Sequence, residues 1–532
     1  MMDREKNRLQ KLLFRVIPYA VLIAAYLFSV GIYAYLGTHN LDADRSSEMV
    51  LADLLNSEKA FLSENWYYST ELRVVSAVPV YQLGLLLFDT WHMARTFSIA
   101  VLLLGVAGSF LFFMRGIGIR DAAIYAAACL ILPVSWLSMF MLVYGQFYSA
   151  YFILICVLLG LLIRLKNKER RTIKLIALIM LSVYGGMQGV RLLMICAAPL
   201  MISCGLLLLL RMRSCCTIRE GLRTEEGVYG LGALVICAGL LAGYLINAQV
   251  LSRIYEYKSF SQTLMYSLDW EEVGKQINYL PKYFGYTDGV QLISIDGLVN
   301  ALSLGVIAAV VISACMLIAG QDTLCAGEKL AVWFPVCSVL IGIVVNSVTI
   351  YGNTSGIGSV SYYLPGLMLL ISLAFMLVEK SFVRAQCIRT MLLLMMTAVF
   401  MLNSVQYIRK NFRVADADYE LTAQWLVDNG YTTGFATFWN ANLLTEATDG
   451  KLDVYTYQQW DQSELYKWLQ KKEHFGNLPE GKVFVFVEKA EKTDGYVPLA
   501  REENLVMQTN NGWIYGYDSA QEVVQIQREA FE

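Results

Sequence analysis

Three carboxylates stand within seven residues near the start of the chain, close enough together to share acid or base chemistry. Asp42, Asp44 and Glu48 occur in the string THNLDADRSSEMVLADLL. Apolar residues at helical spacing follow them, which predicts an amphipathic helix with the acids at its head, where the helix dipole favours negative charge. Ordinary N-cap and first-turn acids produce the same pattern, and the D-x-D spacing alone does not separate the two interpretations.

Membrane helices must position these acids, because the composition places most of the chain in lipid. The chain has 532 residues, of which 57% are hydrophobic and 16% charged, whereas roughly a quarter of an average soluble domain is charged. The mean hydropathy is +0.49. Apolar runs of spanning length predict about eleven transmembrane helices, near 15–36, 93–114, 121–142, 146–164, 173–189, 192–210, 228–249, 298–319, 329–350, 360–378 and 388–407. The first run is too long for the core of a signal peptide, so we expect a retained helix.

Basic residues indicate the orientation of these helices. They cluster in alternate loops, within 4–15, 115–120, 164–174, 211–223 and 380–389. The positive-inside rule therefore predicts a cytoplasmic N-terminus and, after an odd number of spans, an outward C-terminal segment. All eleven cysteines fall in predicted spans or predicted cytoplasmic loops, which argues against a disulfide-built outer domain.

Three segments on the predicted outer side are long enough to carry function. Loop 37–90 contains the amphipathic helix and a short apolar stretch, 74–88, which is interrupted by Pro79 and is too short to span, so we expect both in the outer interface. Loop 250–297 mixes aromatic and basic residues. In the segment 409–532, YELTAQWLVDNG and SELYKWLQKK predict helices, and TTGFATFW, KLDVYTYQ and GKVFVFVEK predict strands.

These patterns predict an all-α polytopic membrane bundle, residues 1–408, followed by a small extracytoplasmic α/β domain, residues 409–532. The three histidines, His39, His92 and His474, are scattered without zinc-ligand spacing. No phosphate-binding glycine loop is present, and a net charge of −2 gives no basic field for nucleic acid. The sequence indicates no certain cofactor and leaves a divalent cation open.

The order of elements resembles the GT-C superfamily of membrane glycosyltransferases, which includes protein O-mannosyltransferases, lipid A aminoarabinose transferases and oligosaccharyltransferase catalytic subunits. The O-mannosyltransferase-like loop motif D-E-x-x-Y-x-x-x-A places Asp44 at the Asp position and Ala52 at the Ala position, whereas Arg45 replaces the Glu and Glu48 replaces the Tyr. The chain also resembles uncharacterised Gram-positive membrane proteins that share the string NWYYSTELRV, beginning here at Asn65. In fold, the resemblance implies a GT-C-like bundle.

In activity, the resemblance implies an inverting transferase that takes a sugar from a polyprenyl phosphate such as undecaprenyl phosphate. It implies Asp44 as the base that deprotonates the acceptor hydroxyl at the membrane surface. Glu48 or Asp42 would then supply the carboxylate that Arg45 replaces. The acceptor would be an outward-facing glycan, lipid or protein of a bacterial cell envelope, and the enzyme would lie in the plasma membrane.

A departing phosphate needs fixed cations, and the planar fork of arginine suits phosphate oxygens. Our first candidate is Arg73 in STELRV, followed by Arg191 after GGMQGV and Arg95 in WHMAR. Each could instead snorkel to lipid headgroups. Glu71 could pair with Arg73 or bind a metal, and we favour the ion pair.

Aromatic and amide side chains near the predicted outer face could contact the sugar or acceptor. The candidates are Trp66, Tyr67, Tyr68, Tyr144, Gln146 and Tyr148. An aromatic belt at the lipid interface explains the same residues, and we favour the belt. Two other functions remain open: a lipid-linked glycan flippase, which would place charges within the spans, and a non-catalytic envelope scaffold.

Overall fold

The computed structural model describes residues 2–36, 41–139, 142, 146–213, 217–257, 268–349, 356–380, 386–411, 418–460, 462–494 and 498–531. The helices up to residue 411 are α1 (Met2–Leu36), α2 (Ala43–Glu58), α3 (Val78–Leu87), α4 (Trp91–Gly116), α5 (Asp121–Leu130), α6 (Trp136–Met139), α7 (Gln146–Arg164), α8 (Arg171–Gly186), α9 (Ala198–Met212), α10 (Ile218–Gly221), α11 (Glu225–Gln249), α12 (Trp270–Tyr283), α13 (Ile295–Ala319), α14 (Ala326–Ser347), α15 (Leu364–Lys380) and α16 (Gln386–Asn411). A π-helix, Leu193–Ala197, leads into α9.

Seven helices in the described part of the chain are long and apolar enough to cross a membrane. They correspond to the runs predicted at 15–36, 93–114, 192–210, 228–249, 298–319, 329–350 and 388–407. The run at 360–378 is bent: the 3-10 helix Gly356–Tyr362 and α15 meet at 76°. The runs at 121–142, 146–164 and 173–189 contain shorter helices in α5, α7 and α8. The chain is therefore a polytopic membrane protein, with the remaining spans of the eleven still a prediction.

Small residues allow a close helix contact between α8 and α11. A Cβ atom built on Gly186 would lie 2.0 Å from the carbonyl oxygen of Leu240, and one built on Gly243 would lie 2.0 Å from that of Val183. Only glycine fits at either position. Such small-residue contacts are typical of membrane bundles, where backbones must approach for dispersion forces to hold helices together.

Helix α2 forms where the sequence predicts an amphipathic helix, but its surroundings differ from the prediction. Asp42 caps its N-terminus, and Lys59 ends it in the left-handed region with φ 53°. Its apolar side chains Met49, Leu51 and Leu55 are at most 1% exposed. They pack on protein, from α3 on one side and from the C-terminal domain on the other. The expectation that this helix rests its apolar face on the lipid interface is therefore corrected.

The C-terminal domain is an α/β domain, as predicted. Its five-stranded sheet has the order β3-β2-β5-β7-β6, with β2 (Thr433–Thr437), β3 (Asp453–Tyr457), β5 (Val483–Glu488), β6 (Leu505–Gln508) and β7 (Gly512–Tyr517). Strand β2 runs parallel to β3 and β5, and β7 runs antiparallel to β5 and β6. Its helices are α17 (Asp418–Asp428), α18 (Phe438–Ala447), α19 (Lys489–Asp494) and α20 (Ala520–Glu529). Strand β5 is buried on both faces, which explains its continuous apolar run.

A second, two-stranded sheet joins the first loop to the C-terminal domain. Strand β1 (Trp66–Tyr67) pairs antiparallel with β4 (Gln470–Lys471). The helix predicted over SELYKWLQKK is therefore wrong. Its last residues form β4, and Leu469 adopts a positive φ of 51° that a helix does not accommodate. Pairing with a strand some four hundred residues earlier in the chain overrides the local preference.

Candidate functional site

The first turn of α2 carries the acids that the sequence singles out. Asp42 is the N-cap: its Oδ1 accepts from the backbone N–H of Arg45 at 2.9 Å, and its Oδ2 accepts from Arg45 Nε at 2.7 Å. This is the ordinary capping role, strengthened by an ion pair. The side chain of Arg45 thus turns back on Asp42.

Asp44 and Glu48 lie one helical turn apart and therefore share a face of α2. Asp44 is exposed, whereas Glu48 is only 2% exposed. The Oε1 atom of Glu48 lies 3.2 Å from Nε of Arg73. The arrangement puts a reachable carboxylate beside a buried carboxylate–guanidinium pair.

Both carboxyl groups hold their protons more tightly than usual. Burial raises the pKa of Asp44 to about 6, the charge of Asp42 adds to the rise, and Arg73 and Arg45 oppose it. Burial likewise raises the pKa of Glu48 to about 7 against the lowering effect of Arg73. Asp44 is exposed over its residue surface, while the protein around its carboxyl group is close enough to raise its pKa. A pKa near neutrality suits a group that takes up and releases protons.

Arg73 lies on the irregular loop between α2 and α3, and its neighbours fix its position. Leu72 and Val74 are at most 1% exposed. The backbone N–H of Val75 donates to Oε1 of Gln188 at 2.8 Å, which ties the loop to the turn after α8. Buried apolar residues on either side therefore hold the arginine beside α2.

A second buried ion pair lies behind this loop. Nε of Arg191 donates to Oε1 of Glu71 at 2.8 Å, and the Tyr151 hydroxyl donates to Oε2 of Glu71 at 2.9 Å. Arg191 also donates to the Tyr148 hydroxyl at 3.1 Å. Burial opposes ionisation of Glu71, but Arg191 outweighs it and keeps the pKa of Glu71 below its usual range. Glu71 thus pairs with Arg191, whereas the sequence favoured an ion pair with Arg73.

Arg95, the third arginine candidate, binds the C-terminal domain. Its Nε donates to Oε1 of Glu446 at 2.6 Å and its Nη2 donates to Oε2 of the same carboxylate at 2.7 Å. Nη2 also donates to the backbone carbonyl of Arg45 at 3.0 Å, and Nη1 to the Tyr81 hydroxyl at 3.3 Å. Arg95 therefore joins α4, α18 and the first turn of α2.

Two aromatic candidates of the first loop, Trp66 and Tyr67, contact the C-terminal domain. Trp66 is 0% exposed, and its backbone pairs with Lys471. The Tyr67 ring meets Phe475 edge to face at 5.0 Å and lies 5.3 Å from the ammonium group of Lys472. A contact with sugar stays a prediction for both residues. Tyr144 lies outside the described residues, and Gln146 is described only as the first residue of α7.

Sequence reasoning missed several residues that build this region. Glu446 gave no signal because its partner Arg95 lies 351 positions away in sequence. Tyr466 was assigned to a helix. Burial raises its pKa and the charge of Asp44 adds to the rise, which places its ring within electrostatic reach of that acid.

One group of side chains in the C-terminal domain has metal-ligand types. Asp453, Glu473 and His474 offer ligand atoms within 4.8 Å of one another. The ammonium of Lys471 lies 3.0 Å from Asp453 and 3.6 Å from Glu473, and His474 Nε2 lies 2.9 Å from Oδ2 of Asp453. Burial opposes ionisation of Asp453, but His474 and Lys471 hold its pKa well below the usual range. The lysine thus supplies the positive charge that a metal would bring.

No protein-family model matches the chain, and no curated protein matches it. Among solved structures, the oligosaccharyltransferase of Archaeoglobus fulgidus in its apo form is similar over 82% of this chain, with 11% identity and a TM-score of 0.48. The chain spans 64% of the length of that protein.

ArnT from Cupriavidus metallidurans in the apo state matches over 95% of this chain and 98% of its own, with 13% identity and a TM-score of 0.42. Its form bound to undecaprenyl phosphate matches over 94% and 97%, with 12% identity and a TM-score of 0.39. These likenesses are too distant to assign an activity.

Proposed function

We propose that the chain is a GT-C-type membrane glycosyltransferase that moves a sugar from a polyprenyl phosphate to a hydroxyl group of an outward-facing acceptor. The observation that supports this proposal most is the meeting of Asp44, Glu48 and Arg73. It places an accessible carboxylate with a pKa of about 6 next to a buried cation, on a loop and a helix outside the membrane spans. A base and a phosphate-binding cation are the two groups that such a transfer needs.

In the proposed reaction, Asp44 accepts the proton of the acceptor hydroxyl while the oxygen attacks the anomeric carbon of the sugar. A new carbon–oxygen bond forms, and the bond from that carbon to the phosphate oxygen breaks. The polyprenyl phosphate leaves with the electron pair of the broken bond. Attack opposite the leaving group inverts the anomeric configuration.

Glu48 is our choice for the second acid. Asp42 caps α2 and pairs with Arg45, so its carboxylate is committed to the helix end. Glu48 shares the face of Asp44 and holds Arg73 at 3.2 Å. We infer that Glu48 orients Arg73 toward the departing phosphate.

The three arginines divide their roles under this proposal. Arg73 is assigned to the donor phosphate. Arg191 is assigned to fixing the loop that carries Arg73, because its guanidinium contacts Glu71, two residues away on that loop. Arg95 is assigned to the junction with the C-terminal domain, because Glu446 engages its fork.

The test is release of polyprenyl phosphate by the purified protein from a panel of polyprenyl-phosphate hexoses, in the presence of lipid, glycan and peptide acceptors. We expect turnover by the wild type and a loss of about 10²- to 10⁴-fold for Asp44→Asn, the usual contribution of a general base. Asp53→Asn is the matched control, since Asp53 is an exposed acid on the same helix outside the proposed site. Equal rates for Asp44→Asn and wild type would refute the base, and absence of donor consumption with every sugar would favour the scaffold or flippase.

A further inference from the structure

We propose that Glu446 of the C-terminal domain is a positioning residue for the acid-bearing first turn of α2, and that it acts through Arg95. This inference rests on the proposed function, because the turn that it positions carries Asp44. The C-terminal domain would then be part of the catalytic unit, although Glu446 itself touches no reacting atom.

The contact is bidentate and buried. Two parallel N–H···O bonds of 2.6 and 2.7 Å join the guanidinium of Arg95 to the carboxylate of Glu446. The two side chains are 2% and 4% exposed. Two parallel hydrogen bonds fix the relative orientation of the guanidinium and carboxylate planes as well as the distance between them. Side chains this deeply enclosed are screened little by salt and have little room to choose another geometry.

Arg95 passes this position on to α2 through a backbone atom. The Nη2 group that binds Glu446 also donates to the carbonyl oxygen of Arg45 at 3.0 Å. Arg45 directly follows Asp44 in the same helical turn, so a shift of this carbonyl disturbs the turn that carries Asp44. The Tyr81 hydroxyl accepts from Nη1 at 3.3 Å, which holds the guanidinium from the side of α3.

The first turn of α2 needs such a polar anchor. Large buried apolar side chains begin only at Met49, one turn beyond Asp44. From there, the helix is held by packing against α3 and α18. Among the described residues, the cap at Asp42, the hydrogen bond from the Ser47 hydroxyl to the Asp44 carbonyl at 2.6 Å and the hydrogen bond from Arg95 hold the turn that bears the acid. Since misplacing a catalytic group by about 1 Å costs on the order of 10²-fold in rate, this bond has kinetic consequences.

The experiment compares Glu446→Gln with Glu256→Gln in the full-length protein. Glu256 is a matched control, because its pair with Lys472 at 2.8 Å also joins the C-terminal domain to an earlier part of the chain, but Glu256 is exposed and both partners lie outside α2. Hydrogen exchange of the peptide covering residues 41–49 reports on the turn without any need for activity. We expect faster exchange in Glu446→Gln than in the wild type or in Glu256→Gln. Where Glu446→Gln does not give folded protein, Glu446→Asp keeps the charge and lengthens the gap.

Kinetics then test the link to the base. We expect kcat of Glu446→Gln to fall about 10- to 100-fold, with the KM for the lipid-linked sugar within about twofold, because ground-state donor binding is not what this contact serves. In an Asp44→Asn background, the same substitution should cause little further loss, since a positioning residue has nothing left to position. A general loss of folding would lower kcat by the same factor in the wild-type and the Asp44→Asn backgrounds.

Unchanged exchange of residues 41–49 in Glu446→Gln would overturn the proposal. Faster exchange with an unchanged kcat would overturn the catalytic part, and so would additive losses in the double variant. Absence of polyprenyl phosphate release by the wild type would instead overturn the proposed function, while the exchange measurement would still decide whether Glu446 holds the turn.

Discussion

The pH dependence of transfer gives the sharpest test of Asp44 as the base. An ordinary aspartate titrates near pH ~3.9, whereas the pKa of Asp44 is raised to about 6. Only the ionised form accepts a proton, so kcat/KM should fall about tenfold for each pH unit below the pKa and level off above it. At pH 5, roughly a tenth of the enzyme would carry the ionised base, and at pH 7 roughly nine-tenths.

Two substitutions should shift the acid limb, the part of the pH–rate profile below the pKa, in opposite directions along the pH axis. The charge of Asp42 raises the pKa of Asp44, so Asp42→Asn should shift the limb to lower pH. The charge of Arg45 lowers the pKa of Asp44, so Arg45→Gln should shift the limb to higher pH. A neighbouring charge commonly moves a pKa by about one unit. Asp53→Asn should leave the limb in place.

Unfolding does not imitate this profile. A carboxyl group with a raised pKa binds its proton more tightly in the folded state than in the unfolded state, so between about pH 4 and pH 7 the folded state holds more protons at Asp44 and Glu48. These groups therefore make the protein more stable as the pH falls through that window. Loss of rate at pH 5 with an unchanged or higher melting temperature would come from the base itself.

The assay is the initial rate of polyprenyl phosphate release at subsaturating donor, from about pH 4.5 to pH 8. Because Glu48 lies one turn away with a pKa of about 7, the two acids titrate as a coupled pair and the limb reports an apparent value for the pair. A flat profile between pH 5 and pH 7 would refute the reasoning. So would shifts of the same sign for Asp42→Asn and Arg45→Gln.

Two further predictions concern the scaffold. Glu71→Gln leaves the buried Arg191 without its counter-charge, which costs about 3–5 kcal/mol. The thermal midpoint in detergent should therefore fall well below that of Glu271→Gln, because the pair of Glu271 with Lys275 is exposed and screened by solvent. Equal midpoints would contradict a structural role for the buried pair. Gly186→Leu places a side chain where even a Cβ atom would lie 2.0 Å from backbone, so the monodisperse peak on size-exclusion chromatography should be lost. Gly205→Leu is the control: it has open space around it, and its peak should match that of the wild type.

Hydropathy predicts the membrane bundle because a lipid environment constrains composition strongly. Seven predicted runs are helices of spanning length, and Arg115 and Lys380, which helped to set the predicted orientation, end α4 and α15. The helix boundary is less predictable between the 3-10 helix Gly356–Tyr362 and α15, because a bend within an apolar run leaves no polar signal.

The C-terminal domain shows a different limit. Strands β2, β3 and β5 follow from their apolar runs, since each is mostly buried. Strand β6, which is largely exposed, gave no such pattern. The segment that forms β4 has helical composition and becomes a strand only because the first loop supplies its partner. Glu446 is unpredictable for the same reason, since nothing in the sequence around it indicates that the buried Arg95 of α4, 351 positions away, lies beside it.

The substitutions in the motif of the first loop become consistent once the helix is built. Residues at 44 and 48 share a face of α2, whereas position 45 lies about 100° around the helix axis. A second acid at position 48 therefore faces the same side of the helix as Asp44, which one at position 45 would not. Arg45, placed away from that face, pairs with Asp42. We infer that the chain keeps two acids on the working face, Asp44 to move the proton and Glu48 to hold Arg73. Glu48→Gln should therefore impair phosphate binding and raise KM, whereas Asp44→Asn should impair proton transfer and lower kcat.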